Sequence, residues 1–267
     1  MWLSITPTHA AWLPVIPETS SANPSAPRSS KSEVGSYSSS ITLPILTYHF
    51  LEVVKEKKDK LRISMAITPT IFEKSLQDLA DKHYQTIFLR GIPAMFRRTM
   101  NPASPVIALT FDDGYEDFYT DAFPLLKKYS AHATLFMISS YIDRPGFLSL
   151  KELKEINDSG LVEIGAHTVH HKNLTRISLK KAEAEIAGSK TEIEQKLGIH
   201  VDTFAYPYGK WNPKLATIVE KAGFTAAVTT ERGFLQSPNT MMSLRRISAG
   251  AFMGTRKWKT IGEAARR

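Results

Sequence analysis

The sequence predicts an α/β fold, specifically a distorted (β/α) barrel of about seven to eight mostly parallel strands. Short apolar runs recur between residues 41 and 248, each with the length of a buried strand. Segments with helical periodicity lie between most of these runs, and strands that alternate with helices form parallel sheets. The number of runs favours closure of the sheet into a barrel over an open sheet.

Eight segments have the composition of strands, and we expect each of them to cross the sheet once. They are ITLPILTYH (41–49), YQTIFL (84–89), VIALTF (106–111), ATLFMIS (133–139), LVEIGA (161–166), VDTFAY (201–206), FTAAVTT (224–230) and SLRRIS (243–248).

Four helices are predicted from their end signals. Thr68 is a typical N-cap before Pro69 at the first helical position, and Ser149 has the capping-box spacing to Glu152. The other helices end at glycines, which favour the C-terminal cap. The four segments are TPTIFEKSLQDLADKH (68–83), SLKELKEIND (149–158), SLKKAEAEIAGSKTEIEQKLG (178–198) and NPKLATIVEKAG (212–223).

Composition divides the chain into three parts. Residues 1–40 end in a stretch with ten Ser and four Pro between positions 14 and 40, which predicts a disordered segment and linker. The start of this segment lacks the basic and long apolar regions of a secretory signal. Residues 41–250 are expected to form one domain, and residues 251–267 a basic tail.

The overall composition excludes several classes of protein. There is no cysteine, so any metal site must use His, Asp and Glu side chains. No apolar run approaches the ~20 residues of a membrane span. The net charge of +8 is scattered along the chain, which favours solvated faces and general attraction to anions over a nucleic-acid interface.

Two adjacent carboxylates follow the buried strand VIALTF. Asp112 and Asp113 begin the sequence DDGY at a strand end, where the active sites of parallel α/β folds lie. In extended chain they point to opposite sides, so we expect one to bind a cation and the other to act as a base. A simple Asp-Asp-Gly turn is the alternative.

A second strand end carries three of the eight histidines, in the sequence HTVHH. If the segment turns helically, His167 and His171 share one face and can bind one divalent ion. His170 does not share that face. A polar loop without a metal is the alternative, but Asp113 at another strand end makes the metal site the better interpretation. Two His and one Asp leave a position open for water, as in catalytic sites.

His49 is the last residue of the first predicted strand, in the sequence TYHF. A lone histidine is more often a packed side chain. At the mouth of a metal site an imidazole is a candidate general acid, because it titrates near neutral pH.

These motifs resemble those of the polysaccharide deacetylase family, the NodB-homology domain of carbohydrate esterase family 4, over residues 41–250. TFDDG (110–114) resembles its first motif, which implies that Asp112 is the base and Asp113 a metal ligand. HTVHH (167–171) resembles the second motif, which implies that His167 and His171 are the other ligands. The expected fold is therefore NodB-like.

The remaining motifs are similar to those of the branch that includes poly-N-acetylglucosamine deacetylases, in which the motif order is circularly permuted. FAYPYG (204–209) resembles the third motif, with Ala205 where many members have Arg. LTYH (46–49) fits the motif with the catalytic acid, His49. LRRI (244–247) resembles the segment that positions the base, with Arg246 the better match and Arg245 the fallback.

The resemblance implies hydrolysis of N-acetyl groups on an N-acetylglucosamine polysaccharide, with one divalent metal ion as cofactor. Zinc is the first choice, and cobalt, nickel or iron are alternatives. The family match assigns the backbone N–H of Tyr208 to the oxyanion. The aromatic side chains near the motifs are candidates for sugar contacts, with core packing as the alternative for each: Tyr115, Tyr206, Tyr208 and Trp211.

The expected partner is an N-acetylated polysaccharide or oligosaccharide, with no nucleic acid and no membrane span, and the expected state is a monomer. The substrate class favours a location in the cell envelope, periplasm or medium, with the cytoplasm as the alternative. Two rival functions are a carbohydrate-binding protein that has lost turnover, which the missing arginine at 205 favours, and a deacetylase of O-acetyl esters.

Overall fold

The computed structural model describes residues 40–54, 59–97 and 102–250. The predicted N-terminal linker, apart from Ser40, and the predicted basic tail lie outside these residues, so both stay predictions. The strands are β1 (Ile41–Thr42), β2 (Ile45–Tyr48), β3 (Gln85–Ile87), β4 (Val106–Phe111), β5 (Ala133–Met137), β6 (Val162–Ala166), β7 (Thr203–Ala205), β8 (Ala226–Arg232), β9 (Leu235–Gln236) and β10 (Leu244–Ser248).

Seven parallel strands close into a barrel, which confirms the predicted fold class. The order around the ring is β2, β10, β8, β7, β6, β5 and β4, and β4 pairs with β2 to close it. β3 pairs with the first half of β4, while β5 pairs with its second half. β1 and β9 form a separate antiparallel pair.

Along the chain, most of the α-helices lie between these strands. They are α1 (Lys60–Met65), α2 (Pro69–Asp81), α3 (Ile92–Phe96), α4 (Phe123–Tyr129), α5 (Leu150–Asp158), α6 (Leu179–Leu197) and α7 (Pro213–Lys221). Thr68 caps α2 as predicted, and Ser149 with Glu152 forms a complete capping box on α5. Within the described parts of the chain, none of the helices is both long and apolar enough to cross a membrane.

The predicted strand at 41–49 is interrupted at Pro44, because proline has no N–H to donate to a neighbouring strand. Its carbonyl still accepts from the Ala108 N–H at 3.0 Å. The residues before Pro44 pair with β9, and those after it join the barrel as β2. The prediction of one continuous strand was therefore wrong.

Two buried clusters follow from the alternation of side chains along the strands. One contains Leu109, Phe111 and Leu135 together with helix residues such as Leu153. The other contains the strand neighbours that point the opposite way, including Phe136 and the small residues Ala108 and Ala205. This second cluster fills the barrel interior.

Candidate active site

The suspected residues meet at one end of the barrel because they follow parallel strands. His49 follows β2, Asp112 and Asp113 follow β4, and His167 follows β6. The C-terminal ends of parallel strands lie at the same edge, where the loops can converge. β2 pairs directly with β4, so His49 is brought to Asp112 and Asp113, which lie 63 and 64 positions further along the chain.

The corner after β4 turns the two aspartates to different partners. Asp113 has a positive φ of 74°, and Gly114 follows with a φ of 78°. A Cβ on Gly114 would lie 2.4 Å from the Met137 side chain, so only glycine fits there without displacement of Met137. The chain is therefore not extended at Asp113, but the two carboxylates still separate, as expected from the sequence.

Asp113, His167 and His171 form the group that could hold a metal ion. Their ligand atoms all lie within 4.8 Å of one another. The Asp113 Oδ1 atom is 3.5 Å from His167 Nε2 and 3.4 Å from His171 Nε2. This oxygen is buried without a hydrogen-bond partner. A buried carboxylate oxygen facing two imidazole nitrogens fits a divalent cation, with the N and O donors that zinc accepts.

The tautomer of His167 is set by the strand beside it. Its Nδ1 atom lies 2.7 Å from the carbonyl oxygen of Ala205, so Nδ1–H donates to that carbonyl and Nε2 faces Asp113. Metal-bound histidines commonly donate their second nitrogen in this way. The Ala205 carbonyl carries no signal in the sequence, because every residue has one.

The loop from His167 to His171 is not helical, contrary to the geometry that we expected. Thr168 and His171 both have positive φ values, 65° and 55°. The Thr168 hydroxyl accepts the N–H of His171 at 2.9 Å and holds the turn. The two imidazoles converge through this turn instead of through one helical face. His170 turns away from the group and contacts Glu185 through both its N–H and its Nδ1 atom.

Asp112 is held by a buried arginine from β10. Arg246 Nη1 and Nη2 donate to the two Asp112 carboxylate oxygens at 2.8 Å and 2.7 Å. Arg246 is only 2% exposed, and its other nitrogen contacts are the Thr229 carbonyl and the Thr110 hydroxyl. Arg245, the fallback, is exposed and lies 3.9 Å from Glu231. The pair with Asp112 is therefore made by Arg246.

The charges in the site explain the ionisation of Asp112. Burial alone would raise the pKa of this carboxyl group, but the Arg246 guanidinium lowers it well below its usual range. Asp112 is thus a carboxylate with its oxygens oriented by two charge-assisted hydrogen bonds. The Nε2 atom of His49 lies 3.8 Å from Asp112 Oδ2, and its side chain is partly exposed at the mouth of the barrel.

The two histidines of the candidate metal group differ in their electrostatics. Burial and the neighbouring His167 lower the pKa of His171 to about 4, so its imidazole is neutral near pH 7. For His167, burial opposes the charged form, but Asp113 and Asp112 raise its pKa. A cation would take the place of the proton that the charged form of His167 holds between its imidazole and the carboxylates.

Of the four aromatic candidates, the structure leaves Tyr208 and Trp211 with accessible rings. Tyr208 is 57% exposed, and its ring centroid lies 4.6 Å from that of His171. Trp211 is half-buried, and its Nε1–H donates to Glu231 at 2.8 Å.

The expectation that Tyr206 and Tyr115 stack on sugar rings is corrected. Tyr206 is fully buried and donates to the Met242 carbonyl. The ring of Tyr115 is stacked between Phe50 and Phe147, at centroid distances of 4.2 Å and 5.1 Å. Burial and the negative charge of Asp113 raise the pKa of the Tyr115 hydroxyl. The Tyr115 ring therefore has no free face for a sugar.

The fold is a closed parallel (β/α) barrel, and its mouth holds an Asp-His-His group beside an arginine-bound aspartate. Comparison with known proteins identifies the family. A sequence model described as "Polysaccharide deacetylase" matches residues 99–227. The Bacillus subtilis protein named "Putative polysaccharide deacetylase YxkH" is 32% identical over 205 residues, which cover 77% of this chain and 70% of that protein. The chain belongs to the polysaccharide deacetylase family, whose members are hydrolytic enzymes that act on amides.

Two further comparisons extend this result. Poly-β-1,6-N-acetyl-D-glucosamine N-deacetylase from Staphylococcus aureus (strain MRSA252) is 34% identical over 136 residues. These residues cover 46% of this chain and 47% of that protein, so the chain matches about half the length of this relative. The structure of the Streptococcus pyogenes deacetylase PplD in complex with acetate superposes with a TM-score of 0.72 at 31% identity, covering 78% of this chain and 92% of that one.

Proposed function

We propose that the protein removes N-acetyl groups from a polysaccharide that contains N-acetylglucosamine, with Asp112 as the base and His49 as the acid. The strongest support is that two features lie side by side. Asp113 faces His167 and His171, and the adjacent Asp112 is kept ionised by its hydrogen bonds to Arg246. Family membership and the similarity to a poly-β-1,6-N-acetylglucosamine deacetylase support the substrate class.

In this proposal Asp113, His167 and His171 hold one divalent ion, with zinc as the first choice. Such an ion, when bound, polarises the acetamide carbonyl and lowers the pKa of water at the site. Asp112 then accepts a proton from the attacking water. Arg246 keeps the carboxylate ionised and directs its oxygens, so it is a positioning residue.

His49 is the proposed donor of a proton to the departing amine. An amide nitrogen leaves poorly unless it is protonated, so general acid catalysis is needed for C–N cleavage. The distance of 3.8 Å between His49 Nε2 and Asp112 Oδ2 leaves both groups within reach of one substrate. The backbone N–H of Tyr208 is the proposed donor to the oxyanion, and the rings of Tyr208 and Trp211 are the proposed sugar contacts.

The rival interpretation as a binding protein loses its main support. It rested on Ala205 in place of the arginine that many members have in the third motif. Arg246 supplies a guanidinium to Asp112 from β10 instead, through two hydrogen bonds. We therefore retain turnover as the function. We also propose that residues 41–250 act as one catalytic domain, as a monomer, on glycans outside the cytoplasm.

The direct test is acetate release from β-1,4 and β-1,6 N-acetylglucosamine oligomers by protein reconstituted with metal. Acetate is expected from the wild type and not from Asp112→Asn, and the preferred linkage would identify the polymer class. Metal-loaded wild type that releases no acetate from either oligomer but hydrolyses O-acetyl esters would contradict N-deacetylation and support the ester alternative.

A further inference from the structure

A groove of about 580 Å³ opens beside the candidate metal group. It shares the His171 side chain with that group, and the exposed ring of Tyr208 forms part of its wall. A polysaccharide bound with one sugar at His171 would extend its neighbouring sugars along an open surface of this kind. The groove is therefore continuous with the proposed reaction site.

The charged residues that line this groove are all basic in type. Lys172, Arg176 and Lys210 line it, and all three are exposed. His170 also lines it, but this side chain is already bound to Glu185, 2.9 Å from its Nδ1 atom. The lining contains no Asp or Glu side chain.

These three cations lack carboxylate partners within the part of the chain that the structure describes. Elsewhere, cationic side chains do pair with acids at the surface, such as Lys128 with Glu73 at 2.6 Å and Lys127 with Glu155 at 3.9 Å. Three unpaired like charges around one concave surface repel one another. An anion in the groove would remove this repulsion and form charge-assisted hydrogen bonds.

The aromatic residues of the groove favour a glycan as the carrier of that anion. Tyr208 offers an exposed ring, and the Tyr141 ring carries the Arg144 guanidinium 4.4 Å above its centroid. Aromatic rings pack on the apolar faces of sugars, while cations bind their charged substituents. A small inorganic anion would use the cations but would leave the exposed part of the Tyr208 ring uncovered.

We propose that Lys172, Arg176 and Lys210 form a subsite for an anionic substituent, a carboxylate or a phosphate, on a sugar next to the one that is deacetylated. This inference rests on the proposed function and makes it more specific, since it distinguishes an anionic N-acetylated glycan from a neutral N-acetylglucosamine polymer. The three cations are then specificity-determining residues and take no part in the chemical step.

The test compares three glycans of equal length. One is a neutral N-acetylglucosamine oligomer, one alternates N-acetylglucosamine with N-acetylmuramic acid and so carries lactyl carboxylates, and one carries a phosphomonoester on the sugar beside an N-acetylglucosamine. The readout is the ratio of kcat/KM for each anionic glycan to that for the neutral one. The triple variant Lys172→Gln, Arg176→Gln, Lys210→Gln is expected to lower this ratio by about 10-fold. The anionic glycan with the larger ratio identifies the substituent.

A variant with the same change of net charge controls for general attraction. Lys151→Gln, Lys154→Gln, Lys214→Gln changes three exposed lysines of α5 and α7 that do not line the groove. It is expected to keep the wild-type ratio. An equal fall of the ratio in this control would overturn the subsite, because a general field would explain the preference.

Binding to the Asp112→Asn protein, measured by calorimetry, separates this inference from the proposed function. Tighter binding of an anionic glycan, abolished by the groove triple variant, supports the subsite even if no glycan is deacetylated. Equal binding of neutral and anionic glycans overturns the subsite, even if the wild type releases acetate from the neutral oligomer.

Discussion

Asp112 and Asp113 are neighbours in the chain, but their carboxylates have different partners. Asp112 accepts two hydrogen bonds from Arg246, and Asp113 faces His167 and His171. The positive φ of Asp113 turns the backbone sharply, so the two adjacent carboxylates point towards different partners. Two adjacent acids can therefore serve as a base and as a metal ligand, which is the division that the first motif suggests.

Substitution of each aspartate by asparagine tests this division. Asp112→Asn is expected to lower kcat by at least about 10²-fold, because a general base is lost, with metal content unchanged. Asp113→Asn is expected to lower metal affinity by more than the ~10-fold that is typical of losing an outer-shell partner. Metal analysis and acetate release measure the two effects. Similar metal loss in both variants would contradict the separate roles.

His49 is tested by comparing two leaving groups. His49→Ala is expected to lower amide hydrolysis by at least about 10²-fold, because the amine needs a proton to leave. Hydrolysis of p-nitrophenyl acetate should fall much less, since its leaving group departs as a stable anion. His200→Ala, which changes an exposed histidine that contacts Glu194 and Asp202, is the control. Equal losses on both substrates would argue against His49 as the acid.

At the scale of elements, β10 matters because it brings one buried guanidinium to the end of β4. Arg246 and Arg245 are adjacent, but strand alternation sends one into the barrel and the other to the surface. From the sequence, the LRRI motif alone left both residues as candidates. The burial of Leu244 and Ile247 does not choose between them, so the register of β10 against β8 and β2 was needed.

Arg246→Met is expected to lower the free energy of unfolding by about 3–5 kcal/mol, because it leaves the buried Asp112 charge without a partner. Urea denaturation measures this change. The double variant with Asp112→Asn should recover part of the loss, since the unpaired charge is gone. Arg245→Met is the matched control on the same strand, with an expected change within about 0.5 kcal/mol. Equal destabilisation by the two single variants would contradict the buried pair.

The prediction of elements succeeded where local signals were complete. The strand at 106–111 has the predicted bounds, and the helices that begin at Pro69 and Leu150 follow the predicted caps. Helix α4 was missed because it follows a π-helical turn and lacks a side-chain cap. α1, α3 and β9 are short, so periodicity is too weak to identify them.

At the scale of the whole molecule, the barrel carries polar groups at both ends. At the mouth lies the candidate active site. Near the N-terminal ends of the strands, the buried Glu163 of β6 accepts hydrogen bonds from Thr134 of β5, from Thr203 of β7 and from the Arg90 N–H. This carboxyl group connects three neighbouring strands at the end of the barrel opposite the candidate active site.

Burial raises the pKa of Glu163 above its usual value. The folded state therefore binds this proton more tightly than the unfolded state, and the contribution of Glu163 to stability falls as pH rises above the unfolded pKa of about 4.3. The loss reaches at most about 1.4 kcal/mol per pH unit.

Glu163→Gln tests this pH dependence because glutamine does not titrate. The unfolding free energy of the wild type minus that of Glu163→Gln should fall as pH rises from about 4.5 towards neutrality. Denaturant unfolding at a series of pH values measures it, with the exposed Glu220→Gln as the control. A difference that stays constant with pH, or that grows in favour of the wild type, would contradict a raised pKa in the folded state.

The sequence by itself determined the α/β class, the strand ends at which the candidate site residues lie and the family, because these depend on local periodicity and on short motifs. Tertiary structure alone decided how the residues meet. The turn at Thr168 replaced the expected helical face for His167 and His171, and packing removed Tyr206 from the surface. The barrel also brought Arg246 to Asp112 across 134 positions. Local patterns cannot specify such contacts, since they depend on which strands pair and in which register.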